Sequence, residues 1–204
     1  SKLLGYALPV LPALALLAAW GWQVGMAGKP YARGLFRGLV VLALGLAVGA
    51  NEVASRYTLR HSSADIAQAL ACVKGPDDGV FLAGDYAYDL PFLARFTAPM
   101  VVLQDWPQLR QSAGDNWRRE LFEGADFDAQ AARSLQTPAA LKEAANRPGQ
   151  WLVMPRGGVT ELPADRAGFV PVFSGQAWAL FKSPASAETR PEQQRCLAQR
   201  LNAQ

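Results

Sequence analysis

The feature that most restricts what this chain can fold into is a run without charge, Leu3 to Met26, dominated by Leu, Ala, Gly and Val. About 20 apolar residues cross the hydrocarbon core of a bilayer, and the run exceeds the usual length of a soluble helix. It reads as a membrane span; the competing reading is a buried helix of a large soluble protein. Its length and the presence of Pro9 and Pro12 argue against a cleaved leader. Both prolines fall near the helix start, where backbone amides lack helical partners anyway. Trp20 and Trp22 near the other end suit an aromatic interface belt. The chain opens on Ser1 and is expected to be a fragment or processed product of a longer protein.

A second uncharged run, Gly38 to Asn51, is short for a span, but extension to Leu35–Ala54 gives full length. Arg37 then sits at one interface, where its stem can snorkel, and Glu52 at the other. Gly38, Gly45 and Gly49 offer surfaces for close approach of other helices. The connector Gly28 to Arg37 carries Lys29, Arg33 and Arg37, which places it on the cytoplasmic side. Both ends of the hairpin then lie outside, and the rest of the chain follows into a periplasm. The side reverses if the second run does not cross.

The expected division is therefore 1–56 as two transmembrane helices and 57–204 as a periplasmic soluble domain. Roughly 150 residues suffice for one core. The net charge of +3, scattered rather than clustered, gives no reason to expect a nucleic-acid partner. A helix is expected over Ser63–Val73, started by a capping-box-like pair, Ser62 and Asp65. Val80-Phe81-Leu82, Met100-Val101-Val102-Leu103 and Trp151-Leu152-Val153-Met154 read as buried strands. Tyr88–Phe96 reads as a short helix, and Pro107–Asn146 as helical and polar, with Thr137-Pro138 opening its last helix. Phe169–Phe173 and Gln176–Phe181 flank Ser174-Gly175, a hairpin turn. A final helix is expected from Thr189, with Glu192 as capping partner. The fold class is a membrane helical hairpin followed by a small α/β domain, three-layer-like, whose mixed sheet ends in an antiparallel edge hairpin.

Two segments carry a resemblance. Ser1-Lys2-Leu3-Leu4-Gly5-Tyr6-Ala7-Leu8-Pro9-Val10-Leu11-Pro12-Ala13-Leu14-Ala15 resembles the S-K-L-P-x-Y-x-L-P-x-x-P-A-L-A signature of polyprenyl-phosphate-dependent membrane glycosyltransferases, with Leu4 in place of the usual Pro. That family includes the lipid A aminoarabinose transferases and relatives among the protein O-mannosyltransferases. Asp85-Tyr86-Ala87-Tyr88-Asp89-Leu90-Pro91-Phe92-Leu93 is similar to a Y-x-x-x-L-P-F-Y segment early in their C-terminal soluble domain. The resemblance implies transfer of a sugar from a polyprenyl-phosphate donor to a lipid or protein acceptor at the outer face of a bacterial inner membrane, without a cofactor. It implies as partners the lipid-linked donor, membrane lipid and the rest of the protein's own transmembrane domain. The acidic loop that assists the reaction in such enzymes belongs to their N-terminal region, so no catalysis is expected from these residues alone. A rival from another class is a two-span anchored periplasmic binding or assembly module.

Against that background Lys2 is a candidate to pair with the donor phosphate; otherwise it anchors the chain at the headgroups. Tyr6 is a candidate hydrogen-bond partner of the same phosphate or the sugar, or else a belt residue. Asp85, Tyr86 and Asp89 follow a predicted strand, where α/β sheets often build sites; they either touch the acceptor or cap a turn. Cys72 and Cys196 are the only cysteines. They either bridge the first and last helices of the domain or remain buried thiols, and they are too few and badly spaced for zinc. His61, the only histidine, has no nucleophile motif around it and reads as a surface residue. Gly157-Gly158 reads as a turn, and Trp117-Arg118-Arg119-Glu120 as a solvated helix face with one buried aromatic.

Overall fold

The computed structural model describes residues 9–26, 28–157, 166–186 and 188–201. Lys2, Tyr6, most of the first signature segment and Gly158 lie outside them. The chain divides into two compact units, Ser1–Thr58 and Leu59–Gln204.

In the first unit α1 (Leu11–Met26) and α2 (Ala32–His61) flank a short connection in which Gly28 takes φ +80°. That positive φ is open to glycine at no steric penalty. The connector is shorter than expected: Tyr31 O already accepts from Leu35 N, so Arg33 and Arg37 lie on the first turns of α2 and only Lys29 remains in the turn. Nothing in Gly34-Leu35-Phe36 delays helix formation, and Pro30 fits just ahead of it. Trp22 meets Phe36 edge to face, ring centroids 5.7 Å apart. Among the described residues one helix is long and apolar enough to cross a membrane: the stretch Ala32–Tyr57, 26 residues with mean hydropathy 1.7 and no burial. At 1.5 Å per residue it spans about 39 Å, more than a hydrocarbon core of about 30 Å. The described part of α1 has 16 residues, short of a span by itself. A Cβ added at Gly38, Gly45 or Gly49 would meet nothing within 4 Å.

The second unit is built on a six-stranded mixed sheet, order β3-β2-β1-β4-β6-β5. Strands β1 (Gly79–Ala83), β2 (Val101–Leu103), β3 (Leu135–Gln136) and β4 (Gln150–Pro155) run parallel; β6 (Trp178–Lys182) is antiparallel to β4, and β5 (Val170–Ser174) to β6. Each parallel step is bridged by helix, as such crossovers require: α4 (Leu90–Leu93) between β1 and β2; α5 (Trp106–Ser112), α6 (Trp117–Ala125) and α7 (Ala129–Arg133) between β2 and β3; α8 (Ala140–Ala145) between β3 and β4. The unit opens with α3 (Ala64–Val73) and closes with α9 (Pro191–Leu201).

Alternation along the strands sorts most of the core into two clusters, beside a third built on Val102, Trp106 and Phe122. Val80, Leu82, Trp151, Val153, Trp178 and Leu180 gather with Ile66, Leu70 and Val73 of α3 and Leu197 of α9. Phe81, Ala83, Leu103, Leu152, Met154 and Phe181 gather with Leu141, Ala144 and Ala145 of α8. The sheet is thus covered on both faces, which is why its parallel strands are continuous apolar runs in the sequence. The Cys72–Cys196 disulfide, S–S 2.00 Å, joins α3 to α9 across 124 residues.

Several local expectations need correction. The stretch 107–146 is not purely helical: β3 interrupts it, with Val102 N donating to Ser134 O at 2.7 Å and Gln104 N to Gln136 O at 3.0 Å. The expected helix over Tyr88–Phe96 shrinks to one turn, α4, because Arg95 takes φ 51° and turns the chain away. Ser62 and Asp65 do not form a capping box. Ser62 and Ser63 donate to Asp89 instead, and Asp65 is turned toward the β5–β6 loop. Thr137 does not cap α8, which starts at Ala140 with no side-chain cap. At α9 the reach-back comes one residue late: Gln193 Oε1 accepts from Arg190 N at 3.0 Å, while Glu192 pairs with the Arg190 guanidinium at 3.2 Å. Ser174 belongs to β5, and the hairpin turns through Gly175-Gln176-Ala177, closed by Gly175 N to Trp178 O at 2.9 Å. The β5–β6 ladder is irregular between Pro171 and Phe173. Proline has no N–H to give, and an edge strand tolerates that.

Candidate functional site

Parallel strands β1 and β2 end side by side, and the residues just beyond them form the most elaborated polar and aromatic cluster of the second unit. The order β3-β2-β1-β4 reverses between β1 and β4, so the carboxyl end of β1 borders the crevice where open α/β sheets bind ligands, and the cluster lies on its β2 side. After Ala83 the chain turns at Gly84, φ +88°. The Gly84 carbonyl accepts from Gln104 Nε2 at 3.0 Å and from Arg118 Nη2 at 3.2 Å. Gln104, at the end of β2, is buried to 1% exposure, and its amide oxygen faces Arg118 Nε at 3.4 Å. A buried amide is stabilising only when its polar atoms are partnered. Here those partners also lock the β1 and β2 loops to the first turn of α6.

That lock sets an aromatic surface. The Tyr86 ring meets Tyr88 edge to face at 4.8 Å and lies tilted against Trp117 at 5.6 Å; the Arg118 guanidinium sits 4.6 Å from the Trp117 ring centroid. Asp85 is exposed and its Oδ1 accepts from Tyr86 N at 2.8 Å. Burial pushes the Tyr86 hydroxyl above its ordinary value. Tyr88 is pushed up first by burial and then by the negative charges of Glu120 and Asp85. Both phenols therefore stay protonated near neutral pH and can each donate and accept a hydrogen bond. Aromatic faces, neutral hydroxyls and the carboxylates of Asp85 and Glu120 are the hardware for a ligand with C–H faces and many hydroxyls.

The structure brings Asp85 and Tyr86 into this cluster but sends Asp89 elsewhere. Ser62 Oγ donates to Asp89 Oδ2 at 2.7 Å, Ser63 N to the same oxygen at 3.0 Å, and Ser63 Oγ to Oδ1 at 2.7 Å. Asp89 thus pins the chain at the entry to α3. Partial burial opposes its ionisation, but the hydrogen bonds from Ser62 and Ser63 outweigh that, so it titrates below its ordinary value of 3.8. A carboxyl with a lowered folded value adds stability above its unfolded titration, and that stability is lost on acidification through the folded one. Asp89→Asn should therefore be less stable than wild type at pH 7. The gap should close as pH falls below about 4. Urea midpoints of both proteins from neutral to acid pH check this; a gap that does not change with pH would rule it out.

His61 is exposed and its carbonyl accepts from Trp178 Nε1 at 3.3 Å. Among the described residues no three His, Cys, Asp or Glu side chains converge to hold a metal ion. Sequence reasoning missed Gln104 and misjudged Trp117 and Arg118. Trp117 is half-exposed and packed on Tyr86 rather than buried, and Arg118 is held at the strand ends rather than in solvent. Their only sequence signal was an aromatic-basic pair opening a helix, which is common on surfaces.

No protein-family model matches the chain, and no curated protein matches it. Two solved structures do. One is the crystal structure of ArnT from Cupriavidus metallidurans in the apo state, at 17% identity and TM-score 0.42, covering 62% of this chain and 21% of that one. The other is the crystal structure of the same protein bound to undecaprenyl phosphate, at 16% identity and TM-score 0.44, covering 91% of this chain and 38% of that one. The chain thus spans less than two fifths of either matched structure.

Proposed function

We propose that the chain is the C-terminal segment of an integral membrane glycosyltransferase that moves a sugar from a polyprenyl-phosphate donor to a lipid or protein acceptor at the periplasmic face of a bacterial inner membrane. In this reading 1–56 forms two transmembrane helices and 57–204 the periplasmic domain. One observation carries it: the S-K-L-L-G-Y-A-L-P-V-L-P-A-L-A segment at Ser1–Ala15, followed in order by an apolar helix and by D-Y-A-Y-D-L-P-F-L at Asp85–Leu93. Both structural likenesses, with TM-scores below 0.5, add no weight to it.

The roles divide as follows. Lys2 pairs with the donor phosphate and Tyr6 hydrogen-bonds the phosphate or sugar. Asp85 and Tyr86, beside Tyr88 and Trp117, contact a hydroxyl-rich acceptor. The catalytic carboxylate comes from the part of the protein upstream of Ser1.

The test is transfer of labelled sugar from polyprenyl phosphate by the full-length protein in vesicles. Lys2→Ala should lower transfer about tenfold or more, as loss of one charge-assisted hydrogen bond implies. Tyr6→Phe should lower it less. Unchanged transfer in both variants would dismiss those roles, and absence of any transfer from polyprenyl-phosphate sugars would remove the enzyme reading. The self-contained aromatic and carboxylate cluster favours, as second reading, an anchored binding module. That reading predicts ligand binding, weakened by Trp117→Ala, without transfer.

A further inference from the structure

A second surface of the soluble unit is apolar, exposed and tied to the point where the chain enters it. Phe92 is 84% exposed and Leu93 49%, both on the single turn of α4. A phenylalanine left this open in a soluble unit gains nothing from the core, whereas Leu90 of the same turn is fully buried. The backbone enforces this division. Arg95 holds φ 51°, a conformation that non-glycine residues rarely adopt, and Phe96 N returns to Pro91 O at 3.0 Å. The chain therefore doubles back, Phe96 packs against the α3 side of the core, and Phe92 is left pointing away from it.

Two cations adjoin the turn. Lys74 and Arg95 line a shared cavity of about 260 Å³ with Gly75, Pro76, Phe96 and Thr97. Lys74 Nζ lies 5.7 Å from the Phe96 ring centroid and donates to Gly75 O at 2.9 Å. Both cations lie on the Phe96 side of the turn, and an exposed aromatic-aliphatic pair with basic residues on an adjoining surface is the composition of segments that rest in the headgroup region of a bilayer.

Position along the chain identifies the occupant. The apolar stretch Ala32–Tyr57 ends five residues before Ser62, a reach of at most about 18 Å even fully extended. Ser62 and Ser63 are hydrogen-bonded to Asp89, three residues before Phe92. Chain length alone therefore lets α4 reach a plane that holds the end of that stretch.

We propose that Phe92 and Leu93 form an interfacial wedge that seats in the outer leaflet of the membrane, with Lys74 and Arg95 facing the phosphates of anionic lipid headgroups. The wedge would hold the soluble unit at a set height above the bilayer. This inference rests on the reading that α2 spans the membrane.

Spin labels test it in the full chain reconstituted in vesicles of phosphatidylethanolamine and phosphatidylglycerol. Labels are placed singly through Phe92→Cys, Leu93→Cys, Phe127→Cys and Leu46→Cys, with Cys72 and Cys196 bridged. Phe127 is 92% exposed and lies beyond the far end of α6 from Trp117, so it serves as the aqueous reference. Leu46 lies within the apolar stretch of α2. The expected result is a several-fold excess of oxygen over water-soluble nickel collisions at positions 92 and 93, and the reverse at 127. Nickel-favoured collisions at 92 and 93 with oxygen-favoured ones at 46 would overturn the wedge while leaving the span intact. Labels at 92 and 93 immobilised and shielded from both reagents would overturn it in favour of a protein cover. Nickel-favoured collisions at 46 would instead sink the membrane reading beneath it.

Discussion

Cys196→Ser is expected to lower the stability of the second unit by about 2–4 kcal/mol and its thermal midpoint by about 5–10 °C. The physical reason is the size of the loop. The bridge joins residues 124 positions apart, so in the unfolded chain it removes the freedom of nearly the whole unit. Loop-closure entropy alone sets a ceiling of about 5 kcal/mol for such a loop, and bridges commonly deliver less. Among the described residues of α9, Leu197 enters the core, and Gln193 Nε2 reaches Val73 O at 3.3 Å. Without the covalent tie α9 should open before the sheet does, and its amides should exchange faster than those of β1 and β4. Melting curves with and without reductant provide the check. Reductant should lower the wild-type midpoint to that of Cys196→Ser and leave the variant unmoved. A wild-type midpoint indifferent to reductant would mean the bridge is not formed in the folded protein.

The second large effect centres on Asp65. The residue is 7% exposed; Oδ2 accepts from Gln176 N at 2.6 Å and Oδ1 from Ile66 N at 2.7 Å. It lies in the first turn of α3, where the helix dipole favours negative charge. The carboxylate thereby fastens the β5–β6 turn to the start of α3, 111 residues away. Asp65→Ala removes the acceptor of both the Gln176 and Ile66 amides and should cost about 1–3 kcal/mol. The same contact explains Gly175. A Cβ there would overlap the Asp65 carboxylate, so Gly175→Ala should be destabilising by about 1–3 kcal/mol. In the Asp65→Ala background the obstruction is gone and the same change should be nearly neutral. Urea denaturation of both single variants and the double variant measures the coupling. Simple additivity would show that the glycine is needed for some reason other than Asp65.

How much was legible beforehand differs by element. Strands β1, β2 and β4 and the edge hairpin lie within two residues of their expected places. Each is a buried apolar run between turn residues, a signal that survives without tertiary information. Two-residue β3 left no trace, since nothing so short has a period, and it exists only because β2 offers free edge groups to Ser134 and Gln136. The capping expectations failed for a related reason. Ser62 and Asp65 have the spacing of a capping box, but each found a stronger partner from a distant segment, Asp89 for one and Gln176 for the other. In the candidate site Asp85 and Tyr86 stood out by motif, whereas Gln104, Trp117 and Arg118 needed the strand ends to be side by side before their roles were visible.

The amino-acid sequence alone determined where apolar matter is continuous: a long lipid-compatible helix, then short runs that must be buried on both faces of a sheet. Those facts are local, because transfer of apolar surface from water depends on each segment's own composition. Tertiary structure decided the polar pairings: Asp65 with Gln176, Asp89 with Ser62 and Ser63, Arg118 with Gly84, and Cys72 with Cys196. A hydrogen bond needs its partner within about 3 Å and in line. Over separations of 26 to 124 residues, only the packing of whole elements selects which partner arrives.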